Sequence, residues 1–423
     1  MMWIQVDKRS LLFMLTSIGS KGLAAVAQLY AIFVFTRMHT RDDAAVIFLL
    51  LGYAIWFQVF ELGLAQTLQN KFNAKLVSSS DMLKTLIVQF FFMWAVALIV
   101  VTTPLLTDLL LPDSRKGMGG EAVVAFSIGA AILLIASNNA ITQRLLLVFN
   151  QGQLGNTLIL SQSLLAIVGL ASYDFIGQPN LTVAVLLYLG PQVLVYLPVL
   201  VSLMIRLAGS GSRQHKSSVG SILADFLGFW GLGVLSALYL GLDYYFAAHY
   251  LSGEQVVSYH LATRVFFISY VAYYAFVQHR ARHLSFLSKG SEVRAVSSIF
   301  KDSVVIGLGS VLTVYCLAIA LERLGTFDSM TNGVGINFTL LFFAFLYFMV
   351  RVCRDVALVI AGGLNARKAL YLVYLLELTV GLSVMPLIVP IYGGIGIFAS
   401  MSLASTLGLF LLLHQAKKLG YQY

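Results

Sequence analysis

Four cations, Lys21, Arg264, Arg351 and Arg354, sit deep inside long apolar stretches of a 423-residue chain. A charge at the centre of a bilayer costs about 2.5 to 3.5 kcal/mol on insertion scales, so each such residue is paired, snorkels to the surface, or lines a wet cavity. Lys21 and Arg264 lie too deep to snorkel: at about 1.5 Å per residue, Lys21 is about 15 Å beyond the start of its apolar run. Several cations around one cavity suit an anionic head group, because Lys and Arg donors replace the water that a diphosphate loses. These four residues are therefore the candidate substrate-binding cations.

Carboxylates and a histidine share the same stretches. Arg351, Arg354 and Asp355 fall on one helical face, since residues three and four apart are neighbours. Glu377 sits at a depth comparable with Arg351 and could pair with it. Asp243 falls close to Arg264 across a short connection, and Asp225, eighteen residues or about five turns earlier, shares a helix face with Asp243. His260 and Arg264 are four apart, and a histidine there could carry protons or simply hydrogen-bond within a bundle. Glu61 reads as an interfacial carboxylate. Glu61, Asp225, Asp243, Asp355, Glu377 and His260 are thus candidates either for ion coupling or for salt bridges that only staple helices together. No catalytic signature, cofactor-binding motif or metal-ligand spacing is present, and Cys316 and Cys353 both fall in apolar segments.

The elements that must position these side chains follow from composition. Of all residues 59% are hydrophobic and 11% charged, against about 25% charged in an ordinary soluble domain. Apolar runs of spanning length recur from end to end, so the solvent is lipid. The expected fold is all-α: a polytopic integral membrane protein with about twelve transmembrane helices. They are expected near 11–36, 44–70, 83–111, 121–147, 156–175, 181–206, 220–250, 254–282, 299–321, 335–361, 369–389 and 392–414. The first run is too long for a signal-peptide core and reads as a retained helix.

Of the 27 Lys and Arg residues, four are the buried cations and five (Arg37, Arg41, Arg115, Lys116 and Arg323) fall in alternate connections. The rest crowd the opposite side, which orients both termini to the cytoplasm. Basicity of this kind reflects topology and gives no sign of nucleic acid. A polar connector at 208–218 divides the chain into an N-terminal six-helix lobe, 1–207, and a C-terminal six-helix lobe, 219–423. Faint similarity between FNQGQLGNTLIL (149–160) and IAGGLNARKALYL (360–372) hints at duplication. Paired halves suit a transporter, because rocking one against the other exposes a midplane site to each side in turn.

Tyrosines such as Tyr244, Tyr245, Tyr250, Tyr270, Tyr273 and Tyr274 could stack on sugar rings, although tyrosine at helix ends also forms interfacial belts. No connection is long enough for a folded soluble domain, whose lower size is about 50 residues.

Three stretches carry a family resemblance: FELGLAQTLQNKFNAK (60–75), LDYYFAAHYLSGEQVVSYHLATRV (242–265) and PIYGGIGIFASMSLAS (390–405). With the twelve-span plan, they resemble the Wzx-type O-antigen and polysaccharide flippases, members of the MATE-like superfamily of oligosaccharidyl-lipid exporters. The middle stretch is the most specific, with Asp243, Gly253, Glu254, Tyr259, Ala262 and Arg264 at family-like positions. Glu61 stands where an aspartate is more usual. The resemblance implies a V-shaped pair of lobes in a bacterial inner membrane. It further implies an undecaprenyl-diphosphate-linked oligosaccharide as substrate, alternating access driven by H+ or Na+, other polysaccharide-assembly membrane proteins as partners, and no enzymatic activity.

A multidrug or small-solute exporter of the same superfamily would share the fold. A major-facilitator transporter is disfavoured by the loop KFNAKLVSSSDMLK (71–84), which lacks that family's Gly-Asp-Arg-basic motif. A membrane glycosyltransferase or polymerase is disfavoured by the short outer connections.

Overall fold

The computed structural model describes residues 8–61, 78–103, 105–111, 120–149, 151–177, 179–209, 219–281, 289–363 and 366–418. In lipid, long apolar runs can satisfy every backbone N–H and C=O within one segment only as helices. The helices are α1 (Lys8–Met38), α2 (Arg41–Phe57), α3 (Ser79–Thr102), α4 (Leu105–Leu110), α5 (Gly120–Ala136), α6 (Asn138–Val148), α7 (Gly152–Ile176) and α8 (Leu181–Gly209). There follow α9 (Val219–Tyr250), α10 (Gly253–Ala281), α11 (Lys289–Arg323), α12 (Thr326–Met330), α13 (Phe338–Gly363), α14 (Arg367–Tyr392) and α15 (Gly394–Lys418). A 3-10 turn, Gln58–Glu61, continues α2.

Local chemistry sets several ends. Thr40 and Ser78 accept the amide N–H of Asp43 and Asp81 at 3.2 and 3.1 Å, capping α2 and α3 with an oxygen for an otherwise orphaned donor. α7 stops at Gly177, whose φ of 72° only glycine adopts without cost. Gly393, at φ 58°, turns the chain between α14 and α15. Hydroxyls inside the helices bond back to carbonyls one turn earlier, as Thr36 does to Ile32 and Ser163 to Ile159, so they are not left bare in hydrocarbon.

Among the described residues, ten helical stretches are long and apolar enough to cross a membrane, and the protein is a multi-pass membrane protein. α10 and α13, with 29 and 26 residues, also have spanning length but are more polar. Every 18-residue stretch of α13 contains Arg351, Arg354 and Asp355. The expected fourth span, 121–147, corresponds to the single apolar stretch Gly120–Val148, in which only Ser137, itself of helical φ and ψ, separates α5 from α6, its hydroxyl bonding back to Leu134.

The chain forms two compact units, Met1–Arg37 with Leu238–Tyr423, and Met38–Ala237. The expected connector at 208–218 lies, but for residues 208 and 209 at the end of α8, outside the described residues. In the second unit, Gly129 of α5 admits the side chains of Leu50 and Val185. In the first, Gly307 of α11 does the same for Val352 of α13, the close approach that small residues allow where helices pack in lipid. The exterior is apolar, with Val88, Phe91, Leu194, Val305 and Leu387 exposed, while Arg354, Asp355 and Glu377 are buried. That inverts the arrangement of a water-soluble protein.

Candidate functional site

The unit made of Met1–Arg37 and Leu238–Tyr423 gathers most of the intramembrane charges onto facing helices. Arg351 stands at the middle of α13, about 20 Å from either end. Its Nε donates to Asp355 at 3.3 Å and its Nη1 to the Tyr347 hydroxyl at 3.0 Å. Tyr347, Arg351 and Asp355 are spaced by four, so one face of α13 presents all three. The rings of Tyr270, Tyr347 and Phe348 surround the guanidinium at 5.5 to 5.7 Å, within cation–π range. A guanidinium has five N–H donors, and Asp355 and Tyr347 take two of them. The side chain remains 16% exposed.

Arg354, one turn further, is in a different position. It is 2% exposed. Its Nε donates to Glu377 Oε1 at 2.8 Å, its Nη2 to Glu377 Oε2, and its Nη1 to Asp355 at 2.5 Å. Tyr239 and Tyr374 cover the guanidinium. Glu377 therefore pairs with Arg354 and not with Arg351 as its depth had suggested. Arg351, Arg354, Asp355 and Glu377 make a charge-neutral quartet in which Asp355 bridges the two arginines. Gly408 of α15 leaves the space into which the Glu377 carboxylate fits.

Arg264 of α10 donates from Nε to His260 at 3.3 Å and from Nη1 to Gln28 of α1 at 3.2 Å. The expected ion pair with Asp243 does not form among the described residues. Asp243, buried, instead accepts from the Tyr259 hydroxyl at 2.7 Å and from the Tyr244 amide at 2.8 Å. The short α9–α10 connection brings these residues together as foreseen, but Tyr259 and His260 stand between the charges. Lys21 is half-buried on α1. It precedes Gln28 by seven residues, about two turns, and so shares the helix face that touches Arg264.

Arg264 and Arg351 are linked by aromatic rings. Arg264 lies over Phe267 at 5.9 Å, Phe267 stacks on Tyr270 at 5.3 Å, and Tyr270 underlies Arg351. The steps of three along α10 keep these rings on one face. The result is a row of two cations with a stacked aromatic pair between them.

Glu61 belongs to the other unit, half-buried in the 3-10 turn. Asp225 lies within α9, but its side chain is outside the described residues, so the face it was expected to share with Asp243 carries no further argument. Among the described residues, no cluster of three His, Cys, Asp or Glu could hold a metal. Gln28, Phe267, Tyr347 and Gly408 were not singled out from sequence. Gln28 could have been noticed from its spacing to Lys21, and Tyr347 from its spacing to Arg351.

The fold is similar to that of solved flippase and MATE transporter structures. Lipid II flippase MurJ in an inward closed conformation superposes with a TM-score of 0.72 at 14% identity, covering 96% of this chain and 88% of that one. An inward-facing multidrug resistance MATE family transporter of the MOP superfamily gives 0.68 at 11% identity, over 93% and 94%. In sequence, the chain is 21% identical over 419 residues to the Salmonella typhi "Putative O-antigen transporter", covering 95% of this chain and 94% of that protein. No family model matches. The resemblance to polysaccharide flippases thus extends over nearly the whole chain.

Proposed function

We propose that the protein flips an undecaprenyl-diphosphate-linked oligosaccharide, an O-antigen or related repeat unit, from the cytoplasmic to the periplasmic leaflet of a bacterial inner membrane. The observation that carries this reading is the Arg264–Phe267–Tyr270–Arg351 row. It offers two guanidinium groups for a diphosphate and an aromatic surface for a sugar or prenyl unit, at a depth where unpaired charge is costly. Lys21, on the Arg264 side of α1, adds a third cation. Arg354 is a staple in this reading, because Glu377 and Asp355 occupy both edges of its guanidinium.

Transport is by alternating access of the six-helix halves before and after 208–218, with both termini in the cytoplasm. Asp243, buried with two hydrogen-bond donors and no ion-pair partner among the described residues, is the candidate for coupling to H+ or Na+. The partners are the lipid-linked sugar, the bilayer and other polysaccharide-assembly membrane proteins. The protein performs no covalent chemistry. The sequence relative named above is a "Putative O-antigen transporter" and the structural neighbours are a flippase and a transporter, which supports this reading.

The test is Arg264→Ala, which should abolish surface glycan while leaving membrane abundance unchanged. Normal glycan at normal abundance would remove Arg264 from the mechanism.

A further inference from the structure

His260 is 1% exposed and is bonded through both ring nitrogens. A guanidinium N–H can only donate. Because Arg264 Nε lies 3.3 Å from His260 Nε2, Nε2 must be an acceptor and the ring must be neutral. The ring proton is therefore on Nδ1, which donates to the Tyr244 hydroxyl at 2.9 Å. Tyr244, on α9, lies in turn against Thr263. Thr263 donates to the Tyr259 carbonyl at 2.9 Å. The donors run in one direction, from arginine to imidazole and from imidazole to phenol.

On its other edge Arg264 is held by Gln28. Two helices thus fix the plane of the guanidinium, and the plane decides whether its fork can meet phosphate oxygens. Several groups of the described residues face His260. From α9 come Tyr244 and the neighbouring Asp243, whose carboxylate is occupied by Tyr259. From α10 comes Arg264, and from α1 the uncharged Gln28, with Lys21 two turns away. Arg351 of α13 and Arg264 both act electrostatically on Tyr244. No carboxylate contacts the ring among the described residues.

We propose that His260 is a positioning residue: as the neutral Nδ1–H tautomer it holds the Arg264 guanidinium in its anion-binding orientation. Without an acceptor at Nε2 the guanidinium loses the partner that sets its plane, and a diphosphate head group binds less tightly. The proposal rests on the reading of Arg264 as a head-group ligand.

The experiment measures binding of farnesyl-diphospho-N-acetylglucosamine to the purified full-length protein in detergent at neutral pH. His260→Leu should bind the probe about tenfold more weakly than wild type, the effect of about 1.4 kcal/mol. His260→Gln, whose amide oxygen can accept the Arg264 N–H, should restore most of the binding that His260→Leu loses. Nitrogen-15 NMR of histidine-labelled protein, with His260→Gln as the difference reference, should show the Nδ1–H tautomer. Wild type that fails to bind the probe would remove the head-group reading, and the positioning role with it. Binding by His260→Leu as tight as wild type, no recovery in His260→Gln, or an Nε2–H tautomer would overturn the positioning role alone.

Discussion

Arg354 and Glu377 meet side by side, with both oxygens of the carboxylate facing Nε and Nη2 of the guanidinium. Neither residue is more than 3% exposed at its side chain. Removing one partner of a buried pair strands the other, at a cost of about 3 to 5 kcal/mol. Arg354→Ala should therefore lower the amount of folded protein in the membrane. Arg354→Gln combined with Glu377→Gln should recover it, because Arg351 still neutralises Asp355. Membrane abundance by quantitative blotting and thermal unfolding in detergent check this. Equal loss in the single and double variants would remove the stapling role.

The same pair makes Gly408 a demanding position. A Cβ there would overlap the Glu377 carboxylate, and overpacking of this kind costs about 1 to 3 kcal/mol. Gly309→Ala supplies the control, since nothing lies within 4 Å of its Cβ position, and removing a helical glycine is neutral or favourable by up to about 1 kcal/mol. The melting temperature should fall for Gly408→Ala and hold or rise for Gly309→Ala.

How far these relationships could be read from sequence depends on whether they are local. Tyr347, Arg351 and Asp355 obey the spacing of one helix, and Arg351–Asp355 was foreseen for that reason. Which arginine meets Glu377 was not, because residues 351 and 354 point about 60° apart on the same helix and only the packing of α14 decides between them. The Asp243–Arg264 pair failed for a related cause: the hairpin fixes proximity, but Tyr259 and His260 intervene at the next level of detail. Long apolar segments, by contrast, are legible in sequence: the expected span 121–147 corresponds to the stretch Gly120–Val148.

In the unit Met38–Ala237, His39 joins α1 to α2 and contacts the Tyr173 hydroxyl at 2.9 Å. Burial pushes its pKa below 6.5, and the carboxylates of Asp43 and Glu121 only partly oppose the shift. A histidine with a depressed folded-state pKa contributes stability above 6.5 that is lost as pH falls through the lowered value. Between about pH 7 and about pH 5, the melting temperature of wild type should therefore fall further than that of His39→Gln. Parallel curves would show that His39 does not contribute.

The proposed role of the two arginines bracketing Phe267 and Tyr270 is to carry a lipid-linked sugar across the bilayer. Its most direct test reconstitutes the purified protein into vesicles holding an undecaprenyl-diphosphate-linked saccharide and follows how much of that lipid a membrane-impermeant enzyme can reach. Wild type should equilibrate the lipid between leaflets. Arg351→Ala, whose Asp355 partner keeps its second arginine, should reconstitute equally and slow equilibration by about tenfold or more, the loss of at least one charge-assisted bond of about 1.5 to 3 kcal/mol. Unchanged flipping in Arg351→Ala, or no flipping by wild type under an imposed H+ or Na+ gradient, would contradict the account.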